Sequence, residues 1–407
     1  MPLTGSGASS ASASGTSAPA TIREIGRGES VKPFIDLSWK INGGDPNWVP
    51  PIREIFEGLL QREKPPLYRV FQRLAAPHAH PFHEHADVAL FVAERGGMVV
   101  GRIAATVNRR ANEFQENTVG YFGLFECVDD EGVARALLER AAAWLKERGR
   151  TSMQGPFNLS TNDELYSGGV LIDGFDTPPV FMMGHNPPYY QRLVEAAGFE
   201  KAKDLLAYWL PHNQPPARLL EGVDRLGKRQ GWRIRPVNMK KFKEEVGLVM
   251  GVYNSAWERN WGFVPMTEAE FDAMAKEFRP VVDPHLVLIA ENDDGEPIGF
   301  ILALPDLNRV IKTFPGGRLL PFGLPKLLLN RKKIRTARLL TLGMKPGYQR
   351  SGIGAALYLK CFQHGAQYGY ENAEASWILE DNGPMRQALE KVGAYVYKTY
   401  RVYERPL

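Results

Sequence analysis

The apolar and polar positions of this chain follow two periods, and the periods occur in the same order twice. Residues 88–108 and 285–308 each contain an apolar run, a polar turn with glycine and a second apolar run, which predicts a β-hairpin. Residues 122–149 and 342–369 each begin with an apolar run, pass a short turn and continue with apolar residues at helical spacing. The pattern therefore predicts a hairpin, a strand and a helix in each half of the chain.

A third pair of segments and a shared glycine register support the internal repeat. Residues 186–210 and 382–405 each have an asparagine suited to helix capping, a short helix, a glycine stop and a terminal strand. Gly132 and Gly352 occupy the same position when the strand–turn–helix segments are aligned without a gap. We interpret the chain as one α/β unit, a mixed central sheet flanked by helices, that is built twice.

The length of the chain agrees with this duplication, because 407 residues suit two domains better than one core. Residues 1–30 begin with Ser, Ala, Gly and Thr and predict a disordered tail. We expect the first copy over 31–213, a linking helix over 214–231 and the second copy over 232–407.

Composition narrows the function classes without choosing one. The formal net charge is only +4, which is small for this length and gives no case for a nucleic-acid partner. Cys127 and Cys361 lie in apolar stretches, so we expect buried free thiols and not a disulfide. The sequence has neither a secretion signal nor an apolar run long enough to cross a bilayer, so a cytoplasmic protein is expected.

The turn before the helix of the second copy has the composition of an anion-binding loop. It consists of Gln349, Arg350, Ser351, Gly352, Ile353 and Gly354. Glycines permit a positive φ and a close approach, a helix N-terminus offers free N–H groups, and the arginine adds charge. The loop fits the motif Q/R-x-x-G-x-G/A, and it resembles the cofactor loop of the GNAT superfamily of acyltransferases. The resemblance covers 232–407 and, more weakly, the first half of the chain.

This resemblance implies a tandem GNAT fold that uses acyl-CoA as co-substrate. The pyrophosphate would lie on the backbone of 349–354, and the pantetheine would follow the strand at Leu342, Gly343 and Met344. Backbone N–H groups of that strand would polarise the thioester carbonyl, and Asn382 would complete the cofactor site by capping the next helix. An amine would attack the thioester directly, without a covalent enzyme intermediate.

The corresponding loop of the first copy is acidic. Asp129, Asp130 and Glu131 stand where the second copy has Gln, Arg and Ser. Carboxylates at a helix N-terminus satisfy its free N–H groups themselves and repel a pyrophosphate. We therefore expect CoA in the second copy alone, with the first copy forming a wall of the acceptor site.

A long polar loop at 155–179 of the first copy offers candidates for contacts with the acceptor. These candidates are Asn158, Asn162 and Glu164. Turn formation by the polar residues of this loop is the alternative interpretation.

The general acid and base are less clear from the sequence. Many GNAT enzymes place a tyrosine acid seven residues after the capping asparagine, and here that position is Leu389. One face of the strand after the cofactor helix carries Glu374, Ser376, Ile378 and Glu380. Glu380 and Asp381 are the base candidates, with helix capping by Asp381 as the alternative. Tyr348, beside the loop, is the candidate acid.

Four histidines, His78, His80, His83 and His85, lie close together in the sequence. Clustered histidines can ligate zinc, but Pro81 interrupts this cluster and no cysteine or second histidine pair completes a site. We predict a solvated loop and no bound metal.

An insertion at 309–336 separates the hairpin of the second copy from its cofactor strand and combines leucines with basic residues. Such a segment can lie in the headgroup layer of a membrane or cover an acyl chain, and packing between the two copies is the alternative. Together with GRIAATVN, GPFN, HNPPYY, SWILEDN and KTYRVYER, it resembles the bacterial ceramide-synthase-like family of two-domain GNAT proteins. Members of that family are thought to join a long-chain acyl-CoA to the amine of a sphingoid base.

The leading hypothesis is acyl transfer from CoA to a primary amine, with a lipid-like acceptor and peripheral contact with the inner face of the membrane. Short-chain acetylation of a polar small molecule or a protein lysine is the second hypothesis. A CoA-binding scaffold without turnover is the third, and Leu389 favours it. Transfer from aminoacyl-tRNA is disfavoured because the loop suits CoA and no strongly basic helical arm is present.

Overall fold

The computed structural model describes residues 19–60, 80–159, 162, 168–211, 217–256 and 261–407. The strands of the first half are β1 (Thr21–Glu24), β2 (Ala86–Arg95), β3 (Met98–Asn108), β4 (Val119–Cys127), β5 (Ser152–Gly155), β6 (Val170–Asp173) and β7 (Glu200–Leu210). Its helices are α1 (Lys32–Asn42), α2 (Arg53–Leu60), α3 (Arg109–Phe114), α4 (Glu131–Lys146) and α5 (Tyr190–Ala196). The segment Thr21–Glu24, which the sequence assigned to the disordered tail, pairs with β2, so that boundary was wrong. Residues 1–18 of the tail lie outside the described residues.

The second half repeats this order. Its strands are β8 (Trp232–Pro236), β9 (Val287–Asn292), β10 (Pro297–Pro305), β11 (Thr336–Met344), β12 (Asn372–Leu379) and β13 (Tyr395–Pro406). Its helices are α6 (Ala217–Gln230), α7 (Phe242–Ala256), α8 (Glu268–Phe278), α9 (Asn308–Ile311), α10 (Gly323–Asn330), α11 (Ile353–Gln367) and α12 (Gly383–Lys391). Helix α6 is the linking helix, and it packs on the second copy through an ion pair of 2.9 Å between Asp224 Oδ1 and Lys360 Nζ.

The described strands of both copies form one sheet, in the order β1-β2-β3-β4-β5-β13-β7-β12-β11-β10-β9-β8, with β6 pairing to β13. The terminal strands of the two copies are exchanged. Strand β7 ends the first copy but pairs with β12 of the second, and β13 ends the second copy but pairs with β5 of the first. The copies therefore share their central backbone hydrogen bonds instead of meeting as two separate sheets.

Each copy has one pair of parallel strands that separates along its length. Strands β4 and β5 pair through Val119–Tyr121 and 152–154 only, and β11 and β12 pair through 336–339 and 372–375 only. Strand β11 continues to Met344 against β10 on its other side. The separation leaves an opening beside 340–344, on the side of β11 that faces away from β10.

Apolar faces of the long helices cover the sheet, as their periodicity predicts. In α11 the buried residues include Ile353, Leu357 and Cys361, which recur one turn apart. Cys127 and Cys361 are buried free thiols, as expected from the sequence, and burial raises the pKa of each thiol to about 12. Among the described residues, no helix combines the length and the apolar character that spanning a bilayer requires.

Candidate active site

The loop between β11 and α11 leaves the N-terminus of that helix uncovered. Gly352 is the capping residue, with a left-handed φ of 80° and no side-chain hydrogen bond to the first turn. Gln349 Oε1 accepts from the Gly347 amide at 2.9 Å, and the Ser351 hydroxyl donates to the Tyr348 carbonyl at 2.6 Å. Arg350 is exposed beside them. The side chains thus fold back on their own loop, and the helix N-terminus stays accessible to an anion.

The first copy has the opposite arrangement at the same position. Asp130 Oδ1 accepts from the amides of Gly132 at 2.9 Å and Val133 at 3.1 Å, so the protein's own carboxylate caps α4. Arg95 Nη2 lies 2.7 Å from Asp130 Oδ2 and, by this hydrogen bond, lowers the pKa of the carboxyl group. The protein's own carboxylate therefore occupies the place that a bound anion would take. The acidic sequence of this loop predicted this capping.

The opening between β4 and β5 is also closed by the chain itself. The Phe157 carbonyl oxygen lies only 1.5 Å from where a Cβ on Gly123 would stand, so a side chain there is excluded. Asn158 Oδ1 accepts from the Leu124 amide at 3.0 Å, and the Phe157 amide donates to the Phe122 carbonyl at 2.7 Å. A thioester arm cannot take this path, because the backbone it would approach is covered by residues 157–158.

In the second copy the opening continues into a cavity of about 200 Å³ that passes between β11 and β12. Its lining is mostly apolar and rich in aromatic and methionine side chains. The apolar contributors are Met182, Val249, Trp261, Phe263, Met266, Phe271, Met274, Phe278, Phe300, Leu302, Leu339, Leu340, Leu342, Trp377, Ile378, Leu379 and Met385. The polar contributors are Asn162, Tyr253, Thr341, Tyr358, Ser376 and Asn382. Such a lining suits an apolar ligand that makes a few polar contacts.

Sequence comparison identifies the family. Residues 249–394 match the acetyltransferase (GNAT) family. The chain is 38% identical over 399 residues to a bacterial ceramide synthase of Caulobacter vibrioides, covering 96% of this chain and 99% of the relative. The chain belongs to the GNAT family. It is also 36% identical over 395 residues to Protein YghO of Escherichia coli, covering 95% of each chain.

Comparison with solved structures agrees with the duplicated fold. A tandem GNAT protein from the clavulanic acid biosynthesis pathway covers 95% of this chain and 98% of its own length, with a TM-score of 0.53 and 14% identity. The chain is therefore a tandem GNAT N-acyltransferase, a class that uses acyl-CoA as co-substrate.

Two of the candidates for acceptor contacts, Asn158 and Asn162, line different cavities of the structure. Asn162 lines the cavity of the second GNAT copy, where its Nδ2 donates to the Val264 carbonyl at 2.8 Å and its Oδ1 accepts from the Tyr253 hydroxyl at 2.9 Å. Asn158 lines a different, smaller cavity of about 100 Å³ in the first copy. Glu164 lies outside the described residues. A contact between Asn162 and the acceptor stays a prediction, and its position fits that role.

The base candidates at the end of β12 are held in ion pairs outside the cavity lining. Glu380 Oε2 lies 2.6 Å from Lys201 Nζ, and Asp381 Oδ2 lies 2.7 Å from Lys203 Nζ. The hydrogen bond from Lys203 lowers the pKa of Asp381, which makes this carboxylate a weaker base. Tyr348 packs at the edge of the second core and is likewise absent from the lining. Their catalytic roles stay untested predictions, with little geometric support.

The structure brings other proton-transfer groups to the cavity. Leu389 is buried in the core, but Tyr358 of α11 lines the cavity, and its hydroxyl donates to Met385 Sδ at 3.3 Å. Burial raises the pKa of Tyr358, so the phenol stays neutral and can donate a hydrogen bond, although it becomes a weaker acid. The spacing from Asn382 could not reveal this residue, because it lies on the preceding helix.

A buried charged group adjoins the cavity at Ser376. The Ser376 hydroxyl donates to Glu374 Oε2 at 2.9 Å and accepts from Arg338 Nε at 3.1 Å. Arg338 and Glu374 are both fully buried, and burial raises the pKa of Glu374 to about 7. The sequence placed Glu374 and Ser376 on one face of β12 but did not show their burial; a carboxylate inside an apolar strand was the available signal.

The histidine cluster is not the solvated loop that the sequence predicted. Pro81–Glu84 form a 3-10 helix, and His83 Nε2 is 2.8 Å from the Leu59 carbonyl. His85 Nε2 is 2.9 Å from Glu270 Oε1, which joins the first copy to α8 of the second. His78 lies outside the described residues. The parts of the chain that the structure describes contain no group of three potential metal ligands.

Proposed function

We propose that this N-acyltransferase moves a long acyl chain from CoA to the primary amine of a lipid-like acceptor such as a sphingoid base. The apolar cavity between β11 and β12 is the observation that carries the proposal. A short acetyl group would leave such a lining exposed to water, whereas each buried methylene contributes about 0.8 kcal/mol. The name of the Caulobacter relative, bacterial ceramide synthase, supports the same substrate class.

The second copy fits CoA at two points. Backbone N–H groups of 349–354 and the Arg350 guanidinium would hold the pyrophosphate at the N-terminus of α11, where the capping residue is Gly352 and Ser351 Oγ accepts from the Ile353 amide at a long 3.4 Å. Gly354 keeps the approach open, because a Cβ there would already lie 3.0 Å from Met344 Cε. The pantetheine would enter the opening beside Leu342, Gly343 and Met344, and Asn382 borders the cavity at the same end.

The chemistry then requires few protein groups. Amides of β11 that β12 does not pair, near Leu342 to Met344, would polarise the thioester carbonyl. The acceptor nitrogen attacks the carbonyl carbon, and CoA departs as a thiolate. Tyr358 is a neutral phenol in the cavity lining and can donate a hydrogen bond to the departing thiolate, which takes its proton from solvent. The first copy contributes a wall of the acceptor side through Asn162.

The insertion at 309–336 gives the proposal a second support. Its inner side packs between the copies, where Leu327 and Ile334 meet Val49 and Ile52, so the packing interpretation holds for that side. Its outer side exposes Leu329 (77%), Phe322 (70%) and Leu320 (60%). Residues 309–335 contain eight Lys and Arg, and no Asp or Glu occurs from 307 to 370. We propose that this outer side lies in the headgroup layer of an anionic membrane, where a lipid acceptor is available.

Substrate choice is tested by measuring CoA release from palmitoyl-CoA and acetyl-CoA, each with sphinganine and with a polar amine such as spermidine. We expect the palmitoyl-CoA and sphinganine pair to turn over fastest. Arg350→Glu should weaken palmitoyl-CoA binding, whereas Lys240→Glu, an exposed charge reversal away from the loop, should not. Preference for acetyl-CoA and the polar amine would refute the long-chain proposal and favour short-chain acetylation.

Membrane contact is tested by cosedimentation with vesicles of phosphatidylglycerol and phosphatidylcholine. The double variant Phe322→Ser/Leu329→Ser should lose binding, and Leu219→Ser, an exposed leucine on α6, should retain it. Binding that survives the double variant, or that does not depend on anionic lipid, would contradict the assignment of this surface.

A further inference from the structure

Three buried polar atoms on two strands of the central sheet, with β7 between them, have no hydrogen-bond partner within the described residues. They are Glu374 Oε1 and Trp377 Nε1 on β12 and the Tyr397 hydroxyl on β13. Native proteins satisfy nearly all buried polar atoms, so a group of orphans beside a cavity indicates a functional site and not a packing need. Among these three residues, Glu374 is the carboxylic acid, and it is hydrogen-bonded to Ser376, which lines the cavity.

Several charges face Glu374 from the surrounding elements. Arg338 of β11 lies with its Nε 3.8 Å from Glu374 Oε2, and Lys398 of β13 also favours the ionised form. Asp306, between β10 and α9, opposes ionisation, and Tyr397 and Tyr400 of β13 lie near enough to interact with the carboxylate. Burial is the largest influence, so the pKa of Glu374 lies at about 7 and both protonation states are accessible at neutral pH.

Ser376 connects this carboxyl group to the cavity. Ser376 belongs to the cavity lining and Glu374 does not. The serine hydroxyl accepts a hydrogen bond from Arg338 and donates one to Glu374, so its orientation is fixed from both sides. Ser376 is therefore the member of this pair that an amine in the cavity can approach.

We propose that Ser376 contacts the acceptor amine and passes its proton to Glu374 during acyl transfer. The nitrogen lone pair forms the C–N bond while the C–S bond of the thioester breaks and CoA leaves as a thiolate. The amine proton moves to Ser376 Oγ as the serine proton moves to Glu374 Oε2, and Glu374 later returns its proton to solvent. The thiolate takes a proton from solvent. This relay rests on the proposed acyl-transfer function.

The test compares Glu374→Gln and Ser376→Ala with Asp306→Asn. Asp306 is a second buried carboxyl group with a raised pKa of about 6, but it hydrogen-bonds to Phe181 and Arg309 and does not line the cavity. Glu374→Gln and Ser376→Ala are expected to lower kcat by about 100- to 10,000-fold without weakening palmitoyl-CoA binding. Wild-type kcat should rise with pH through about 7 as Glu374 ionises, and this rise should be absent in Glu374→Gln. Asp306→Asn should retain the rise at a lower pH, because Asp306 no longer opposes the ionisation of Glu374.

An infrared titration of the buried carboxyl band gives a readout that does not depend on turnover. Wild type should show a carboxyl group titrating near neutral pH that Glu374→Gln lacks. Equal loss of kcat in all three variants, or loss of palmitoyl-CoA binding in Glu374→Gln, would indicate a structural role and overturn the relay. Lipid acylation could fail while acetyl-CoA transfer to a polar amine succeeds; the same variants are then compared on that reaction. Unchanged kcat in Glu374→Gln overturns the relay on either substrate pair.

Discussion

Alanine at the same register position of the two copies should have opposite effects. Gly352 has a left-handed φ of 80°, and a Cβ there would lie 2.8 Å from Leu226 Cδ2 of the linking helix. A residue other than glycine in this conformation costs about 1–2 kcal/mol. The leucine side chain can move aside, so we assign most of the cost to the backbone. Gly352→Ala is therefore expected to lower the free energy of unfolding by about 1–2 kcal/mol.

The matched position in the first copy lacks this constraint. Gly132 lies within the first turn of α4, outside the left-handed region, and its nearest neighbour would be Asp130 Oδ1 at 3.2 Å. Alanine is favoured over glycine in a helix by about 0.5–1 kcal/mol. Gly132→Ala is therefore expected to leave the protein as stable as wild type or slightly more stable.

Urea unfolding followed by circular dichroism measures both variants, and equilibrium binding measures their affinity for CoA. If the loop of Gly352→Ala relaxes instead of holding its strain, the stability loss shrinks, but CoA affinity falls by an equivalent 5- to 30-fold. The free-energy cost of the substitution must therefore appear either in the stability of the protein or in its affinity for CoA. Equal effects of the two substitutions on stability and on CoA affinity would refute both the left-handed cap and the assignment of CoA to the second copy.

If the chain is divided between residues 211 and 217, the two halves should not fold separately, because β7 lies between β12 and β13. Halves that are co-expressed should co-purify. Halves that are soluble and independent would contradict the strand exchange. Asn158→Ala should cost about 1 kcal/mol in urea unfolding by removing the acceptor of the Leu124 amide, without creating a second CoA site by equilibrium binding. Asp381→Asn tests the Lys203 ion pair. Because the folded-state pKa of Asp381 is lowered, its stabilisation is present above the unfolded-state pKa and disappears as pH falls through the folded value, so acid unfolding of the two proteins should converge. The difference at neutral pH should be small because Asp381 is 62% exposed, and a large one would contradict the assignment.

Features that depend on local pattern can be inferred from the amino-acid sequence. Apolar periodicity gave the order of strands and helices in each copy, because one face of every element must be buried. The contrast between Gly352 and the carboxylates around Asp130 separated an open helix N-terminus from a self-capped one, because capping is decided by residues within one turn. Together with the resemblance to the GNAT superfamily, these local features predicted a tandem GNAT fold, and the assignment of CoA to the second copy stays a prediction.

The pairing of the strands and the burial of individual groups become visible only in the folded structure. Backbone hydrogen-bonding groups are the same in nearly every residue type. The exchange of β7 and β13 between the copies therefore could not be inferred from their apolar patterns. The prediction of a solvated histidine loop failed because Glu270, which pairs with His85, lies 185 residues away in the chain. The alternation places Glu374 and Glu380 on one face, yet Glu374 is enclosed within β12 and Glu380, just after that strand, pairs with a lysine of β7. Burial and ion pairing set the proton affinity of a carboxylate, and both depend on neighbours that only the folded chain brings together.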